Sequence, residues 1–340
     1  MLRVGIAGYG TVGKRRYLCM KEDPRVKVVS VCDKSMEDGD NSLQPIRVYN
    51  DFRAMIAKEE LDVLFVCLTN DVAAEATILG LERGFHVFCE KPPGRNVQEI
   101  AQVRVVEKRY PHLKLKYGFN HRYHDSIREA LRIASSGELG RVINIRGEYG
   151  KSMIVNVADG WRSKRAIAGG GILLDQGIHM VDLIRLFAGD MEDVKSYVSN
   201  DYWGLDVEDN AFALMKSHSG VIVQFQSTAT EWRHRFNLQI NFAEGSVVMA
   251  GILSGTMSYG QETLTIYPKD PKSSGNPKIQ TTNYLNDHSW PDEINDFLEN
   301  VLNDEPVTTG SSEDAYKTMQ LVYRIYFEDQ IWREKYGIEL

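Results

Sequence analysis

Short apolar runs recur through the first third of the chain at Arg3–Ala7, Val26–Cys32, Val63–Leu68, His86–Cys89 and Leu113–Gly118, with amphipathic stretches between them. Runs of this length, rich in valine, isoleucine and phenylalanine, read as strands, and the intervening stretches carry helical periodicity. Apolar strands alternating with helices predict βαβ units and a parallel sheet covered on both faces.

After about residue 120 the rhythm changes. A helix is expected over Asp125–Ser135, a strand over Arg141–Tyr149, then a glycine-rich loop and a second helix ending at Gly189. Longer alternating segments follow. Asn210–Ser217 and Gly220–Thr228 are joined by Ser217-His218-Ser219-Gly220, and Phe236–Phe242 and Ser246–Ala250 by Ala243-Glu244-Gly245, so both pairs read as antiparallel hairpins. Pro268–Pro277 reads as a solvated loop, and helices are expected at Pro291–Leu302 and from Ser312 to about Lys335. The expectation is an α/β chain: a doubly wound parallel sheet over residues 1–120, then an α+β domain over 121–340 with a large, mostly antiparallel open sheet. The C-terminal helix is expected to pack back towards the first domain.

A length of 340 residues agrees with about two domains and allows a core that needs no disulfide or metal staple. Forty Lys and Arg against 47 Asp and Glu leave a net charge of −7, which disfavours attraction to nucleic-acid phosphates or anionic lipid. Neither is an expected partner. Cys19, Cys32, Cys67 and Cys89 form no C-x-x-C pair, and three of them lie inside apolar runs and read as small hydrophobes. The longest apolar stretches span about six residues against the roughly 20 a bilayer requires. A strand pattern starting at once leaves no room for a leader, so a cytoplasmic location is expected.

Gly8-Tyr9-Gly10-Thr11-Val12-Gly13 follows the first strand and opens a helix. In that context G-x-G-x-x-G supplies a tight turn, close backbone approach to a pyrophosphate, and a helix N-terminus that attracts its charge. Asp33 lies 20 residues beyond Gly13 at the end of the second strand, placed to accept from an adenosine ribose hydroxyl. A carboxylate there favours NAD over NADP, with neighbouring Lys34 the feature that would accommodate a 2′-phosphate.

Glu90-Lys91-Pro92 follows the strand at 86–89, where ligands of open α/β sheets bind, and so aims Lys91 at the cleft. Behind Gly169-Gly170-Gly171, Asp175, His179 and Asp182 recur at i, i+4 and i+7, one polar helix face opposite Leu174, Ile178, Val181 and Ile184. A carboxylate one turn before an imidazole can steer its tautomer and raise its basicity, which suits a proton relay. A capping Asp175 and a satisfied core His179 are the structural alternative. No third ligand stands at usable spacing, so no metal is expected.

Together these segments resemble the glucose-fructose oxidoreductase and inositol dehydrogenase family, Gfo/Idh/MocA, over essentially the whole chain. The likeness rests on the glycine turn, Asp33, Thr69-Asn70, Glu90-Lys91-Pro92, Gly118-Phe119-Asn120-His121-Arg122-Tyr123, Trp161-Arg162 and Asp175-x-Gly177-x-His179-x-x-Asp182. The resemblance implies a Rossmann domain, then an α/β domain whose open sheet commonly mediates oligomers, here a homodimer or homotetramer. It implies that Lys91 sits beside nicotinamide and substrate hydroxyl, often before a cis proline, with Asp175 and His179 completing the catalytic group. It also implies that Thr69, Asn70, Glu90, Asn120, Trp161 and Arg162 lie near the cofactor and that Arg122 and Tyr123 line the same region. The chain departs from the family's Thr-Pro-Asn-x-x-His pattern, having Leu68-Thr69-Asn70-Asp71-Val72-Ala73, and Pro93 after Pro92 is unusual.

The expected chemistry is hydride transfer between nicotinamide and a secondary alcohol or ketone of a sugar-like substrate, with proton exchange at His179 and Lys91. Arg162-Ser163-Lys164-Arg165 is a cationic cluster beside this segment, and Arg165 there would hold a phosphate or carboxylate, tilting the expectation towards nucleotide-linked or acidic sugars. The alternatives are an inositol, another free polyol or a sugar phosphate, and a catalytically silent NAD-sensing regulator.

Overall fold

The structure, a computed structural model, describes residues 1–153, 160–272 and 274–340. They divide into two compact units, Met1–Phe119 with Trp290–Tyr316, and Asn120–Ser289 with Lys317–Leu340.

In the first unit, β1 (Leu2–Ala7), α1 (Thr11–Met20), β2 (Val26–Cys32), β3 (Arg47–Tyr49), α2 (Phe52–Lys58), β4 (Val63–Val66), α3 (Asn70–Glu82), β5 (His86–Glu90), α4 (Val97–Glu107) and β6 (Leu115–Gly118) follow in turn. The strands form one parallel sheet in the order β3-β2-β1-β4-β5-β6. Strand order reverses beside β1, so the carboxyl ends of β1 and β4 flank the switch point where such sheets bind ligands. β4 is buried at every position, as a strand covered on both faces must be. Burial pushes the Cys32 and Cys89 thiols up to about 12, consistent with cysteines that pack as small hydrophobes.

The second unit contains α5 (Asp125–Ser136), β7 (Val142–Gly150), α6 (Arg165–Ala168), α7 (Ile178–Ala188), β8 (Met191–Ser199), β9 (Asn210–Ser217), β10 (Ile222–Thr228), β11 (Arg235–Phe242), β12 (Gly245–Ala250), β13 (Glu262–Pro268) and β14 (Gln280–Tyr284). Its eight strands order as β14-β13-β12-β11-β7-β10-β9-β8, antiparallel at every junction except the parallel pair β7 and β10. Both expected hairpins form, β9 with β10 and β11 with β12. One sheet face is buried, with α7 laid on β7 so that Met180 and Ile184 fill the space over Gly147. The stretch Arg165–Ala188 is long and apolar enough to cross a membrane, yet most of it is buried inside this unit.

Three helices close the chain. α8 (Ser289–Leu302) places Ile294, Phe297 and Leu298 in the first unit's core with Val4, Ile6 and Phe65. α9 (Ser312–Glu328) and α10 (Gln330–Tyr336) occupy the span expected as one helix. The break falls at Asp329, whose carboxylate caps Trp332 N at 2.8 Å and accepts from Val198 N at 2.8 Å. A side chain that serves a new helix start and a strand edge at once leaves the helical path, which periodicity alone does not show.

Candidate active site

The first unit builds a dinucleotide seat from backbone. β1 ends at Ala7 and turns through Gly8-Tyr9-Gly10 into α1, whose N-terminus has no side-chain cap. Gly8 has φ +95°, and a Cβ there would stand 2.2 Å from the Cys67 carbonyl oxygen; at Gly13 it would stand 1.9 Å from that of Gly8. Both positions exclude any side chain. At Gly10 the nearest atom to such a Cβ is Asp33 Oδ2, 3.9 Å away, which leaves the turn open on the side where the carboxylate lies. Asp33 Oδ1 accepts from Ser35 N at 3.0 Å and Ser35 Oγ at 2.7 Å, so the carboxylate is fixed beside the turn. Uncapped amides at Thr11, Val12 and Gly13, an open glycine and a fixed carboxylate fit a pyrophosphate and an adenosine ribose.

Two further loops leave the same ends of neighbouring strands. Thr69 is the N-cap of α3 and Asn70 its buried first residue. β5 ends at Glu90, followed by half-buried Lys91 and a cis Lys91–Pro92 peptide.

Sequence reasoning missed what holds Glu90. Arg16 of α1 is fully buried and donates from Nε to Glu90 Oε1 at 2.6 Å and from Nη2 to Glu293 Oε2 at 2.6 Å. Its guanidinium carbon lies 4.5 Å from the Phe88 ring centre and 4.2 Å from that of Trp290. Burial pushes the Glu293 carboxyl up to about 7, because desolvation outweighs the attraction of an Arg16 it shares with Glu90. A signal was present: Gly13, Arg16 and Met20 form the buried face of α1, and a cation on such a face requires carboxylate partners.

The second unit builds its polar cluster from side chains. The segment after Gly171 begins where the buried carboxylate of Glu208 accepts from Gly171 N at 2.7 Å and Leu173 N at 3.0 Å, acting as its cap from a distant loop. Leu173–Gly177 forms a π-helical turn before α7, a distortion frequent at functional sites, and Asp175 sits within it. Asp175 Oδ1 accepts from Arg162 Nε at 3.3 Å, and the Arg162 guanidinium lies 4.4 Å from the Trp161 ring centre. His179, buried on α7, stacks on His121 with ring centres 3.7 Å apart and planes 14° apart. His121 meets the Tyr149 hydroxyl at 3.0 Å.

Asp182, the third member of the expected polar face, serves a different purpose. It receives Arg122 Nε and Nη2 at 2.7 Å each, both groups buried, and accepts from Thr318 Oγ1 at 3.1 Å. This bidentate pair ties the short turn Asn120–Tyr123 to α7, with Asn120 and Tyr123 buried beside it. The cationic cluster is dispersed as well. Arg162 is engaged with Asp175, while the Arg165 guanidinium lies 4.3 Å from the Tyr336 ring centre and 5.7 Å from that of Tyr326. Lys164 is exposed.

Comparison with known proteins agrees with both units. Residues 2–115 match the oxidoreductase family with an NAD-binding Rossmann fold, and residues 127–248 the GFO/IDH/MocA C-terminal domain. The chain is 24% identical to the D-glucoside 3-dehydrogenase of Escherichia coli over 96% of its own length and 94% of the relative's. It is 27% identical to the 1,5-anhydro-D-fructose reductase of Ensifer adhaerens over 75% of its length and 77% of the relative's. A solved levoglucosan dehydrogenase in complex with NADH superposes with a TM-score of 0.85 at 20% identity, covering 97% of each chain. With its NAD seat intact and both domains matched, the chain belongs to the Gfo/Idh/MocA family of NAD-dependent oxidoreductases.

Proposed function

We propose that the protein dehydrogenates a secondary alcohol of an uncharged sugar or polyol, with His179, Lys91 and Asp175 as its catalytic residues. The observation that carries this reading is the histidine held by a stacked ring on α7, one turn after an arginine-paired aspartate. NAD, when bound, supplies the acceptor for the hydride that leaves the carbinol carbon. As that C–H bond breaks, the substrate O–H proton passes to a ring nitrogen of His179 and a carbonyl forms. Lys91 stabilises the alkoxide character that develops on the oxygen, and Asp175, itself anchored by Arg162, orients the acid–base pair.

The substrate assignment rests on two supports. Relatives are named for uncharged sugars and polyols: a D-glucoside, 1,5-anhydro-D-fructose, levoglucosan and inositol. Arg162 and Arg165 have partners inside their own unit, which removes two of the three cations that favoured an anionic substrate. Nicotinamide absorbance across free polyols, glycosides, anhydrosugars, sugar phosphates and nucleotide sugars tests the reading. Turnover confined to uncharged members is expected. Turnover confined to nucleotide-linked or acidic sugars would restore the cationic-cluster reading, and NADH binding without any turnover would favour the sensing role.

The open face of the second unit's sheet exposes Tyr197, Phe212, Leu214 and Ile222 on β8, β9 and β10. An apolar group of this kind supports a homodimer or homotetramer formed through that face. Light scattering that shows a monomer at working concentration would overturn it.

A further inference from the structure

His121 lies in the same buried cluster as His179, and its hydrogen bonds determine where its proton resides. The Ser289 hydroxyl is 2.6 Å from Asp287 Oδ1, and a carboxylate only accepts, so Ser289 donates to it. With its one proton committed, Ser289 Oγ accepts from Asn120 Nδ2 at 3.1 Å. That settles the direction of the Asn120 amide and turns its oxygen towards His121 Nδ1, 3.2 Å away. An amide oxygen also only accepts, so Nδ1 of His121 carries hydrogen. Nε2 is then the acceptor of the neutral ring, and the Tyr149 hydroxyl 3.0 Å away donates to it. Burial pushes the Tyr149 phenol far up, which keeps that donor protonated.

The orientation matters because of the stack. Two imidazolium rings 3.7 Å apart would repel, whereas a neutral ring presents a π face to a cation. His124 lies 5.5 Å from His121, ring centre to ring centre, and its Nδ1 is 2.7 Å from Glu262. Tyr149 and Tyr259 pack edge to face at 5.3 Å within the field of Asp175, and the Phe236 ring centre lies 5.9 Å from that of His121.

We propose that His121 is a positioning residue for His179, held as the neutral Nδ1–H tautomer by the chain Asp287–Ser289–Asn120. Its ring face sets the plane of the His179 imidazole and supports that ring while it carries the substrate's proton. The proposal rests on the reading of His179 as proton acceptor, and its first test does not depend on turnover.

The test is nitrogen NMR of the full chain with 15N-labelled histidine, the His121 signals identified by their loss in His121→Phe. The expected result is one ring with a protonated Nδ1 and an unprotonated Nε2 across about pH 6 to 8, the range in which histidine ordinarily titrates. In Ser289→Ala the amide is released and the His121 signals shift towards a mixture of tautomers. In turnover, His121→Ala lowers kcat by roughly 10- to 10²-fold with KM for the sugar and Kd for NADH unchanged, as a misoriented base predicts. His121→Phe, which keeps a ring in the stack, restores part of kcat. A His121 found charged or as the Nε2–H tautomer would overturn the proposal, as would a His121→Ala variant that changes KM and leaves kcat alone. If His179→Ala retains turnover while His121 shows the expected tautomer, the assignment of His179 as base fails and the positioning role fails with it; a dead His179→Ala beside the opposite tautomer defeats this proposal alone.

Discussion

The glycine turn of the first unit and the histidine cluster of the second are both polar sites at helix starts, and they are built by opposite means. The turn is a backbone object: six consecutive residues, Gly8–Gly13, leave no space for two side chains and present uncapped amides. The cluster is a side-chain object, in which Asp175, His179 and His121 draw their partners from Arg162, Tyr149, Asn120 and, through Ser289, Asp287. A backbone site depends on what is absent from each position, whereas a side-chain site depends on distant residues arriving in register. The two therefore differ in how they break.

The largest effect is expected at the turn. Gly13→Ala brings a Cβ to 1.9 Å from a backbone oxygen that has no flexible end to move, so NADH fluorescence titration should show binding lost at concentrations that saturate the native chain. Native affinity in that variant would mean that the turn tolerates side chains after all. Asp182→Ala in the second unit removes the carboxylate that receives two hydrogen bonds from the buried Arg122 guanidinium, a loss of about 3–5 kcal/mol readable as a fall in the thermal midpoint. The exposed pair Arg3–Glu60 provides the contrast: Arg3→Ala should change stability by less than about 1 kcal/mol.

Between these lies a pH-dependent effect at Glu293. Its carboxyl titrates near 7 in the folded chain against 4.5 ordinarily, so the folded state holds a proton that the unfolded state has released between those values. The stability this contributes is fully present below about pH 4.5 and is lost as pH rises through about 7, up to about 3 kcal/mol in all. Glu293→Gln removes the titration. The thermal midpoint of the variant minus that of the native chain should rise between about pH 5 and about pH 8, and a constant difference would contradict the shift.

The same contrast explains what the sequence discloses. The parallel strands, the glycine turn, Asp33, the hairpins of the second sheet and the Asp175–His179 spacing are local patterns, and each appears where periodicity or motif places it. Three-residue β3 is too short to carry a period, and the parallel pairing of β7 with β10 joins segments that nothing local relates. Arg16 with Glu90 and Glu293, and Arg122 with Asp182, are ion pairs across 74, 277 and 60 positions, set by tertiary packing. Asp182 shows how local reading misleads: its spacing places it on the polar face with Asp175 and His179, yet its carboxylate anchors Arg122.

Whether the histidine on α7 takes the substrate's proton is measured most directly by comparing the native chain with His179→Ala on an uncharged sugar that supports turnover, with NADH binding followed by fluorescence. If it does, His179→Ala lowers kcat by about 10²- to 10⁴-fold with NADH affinity unchanged. A kcat within a few-fold of the native value, at the same NADH affinity, would contradict it.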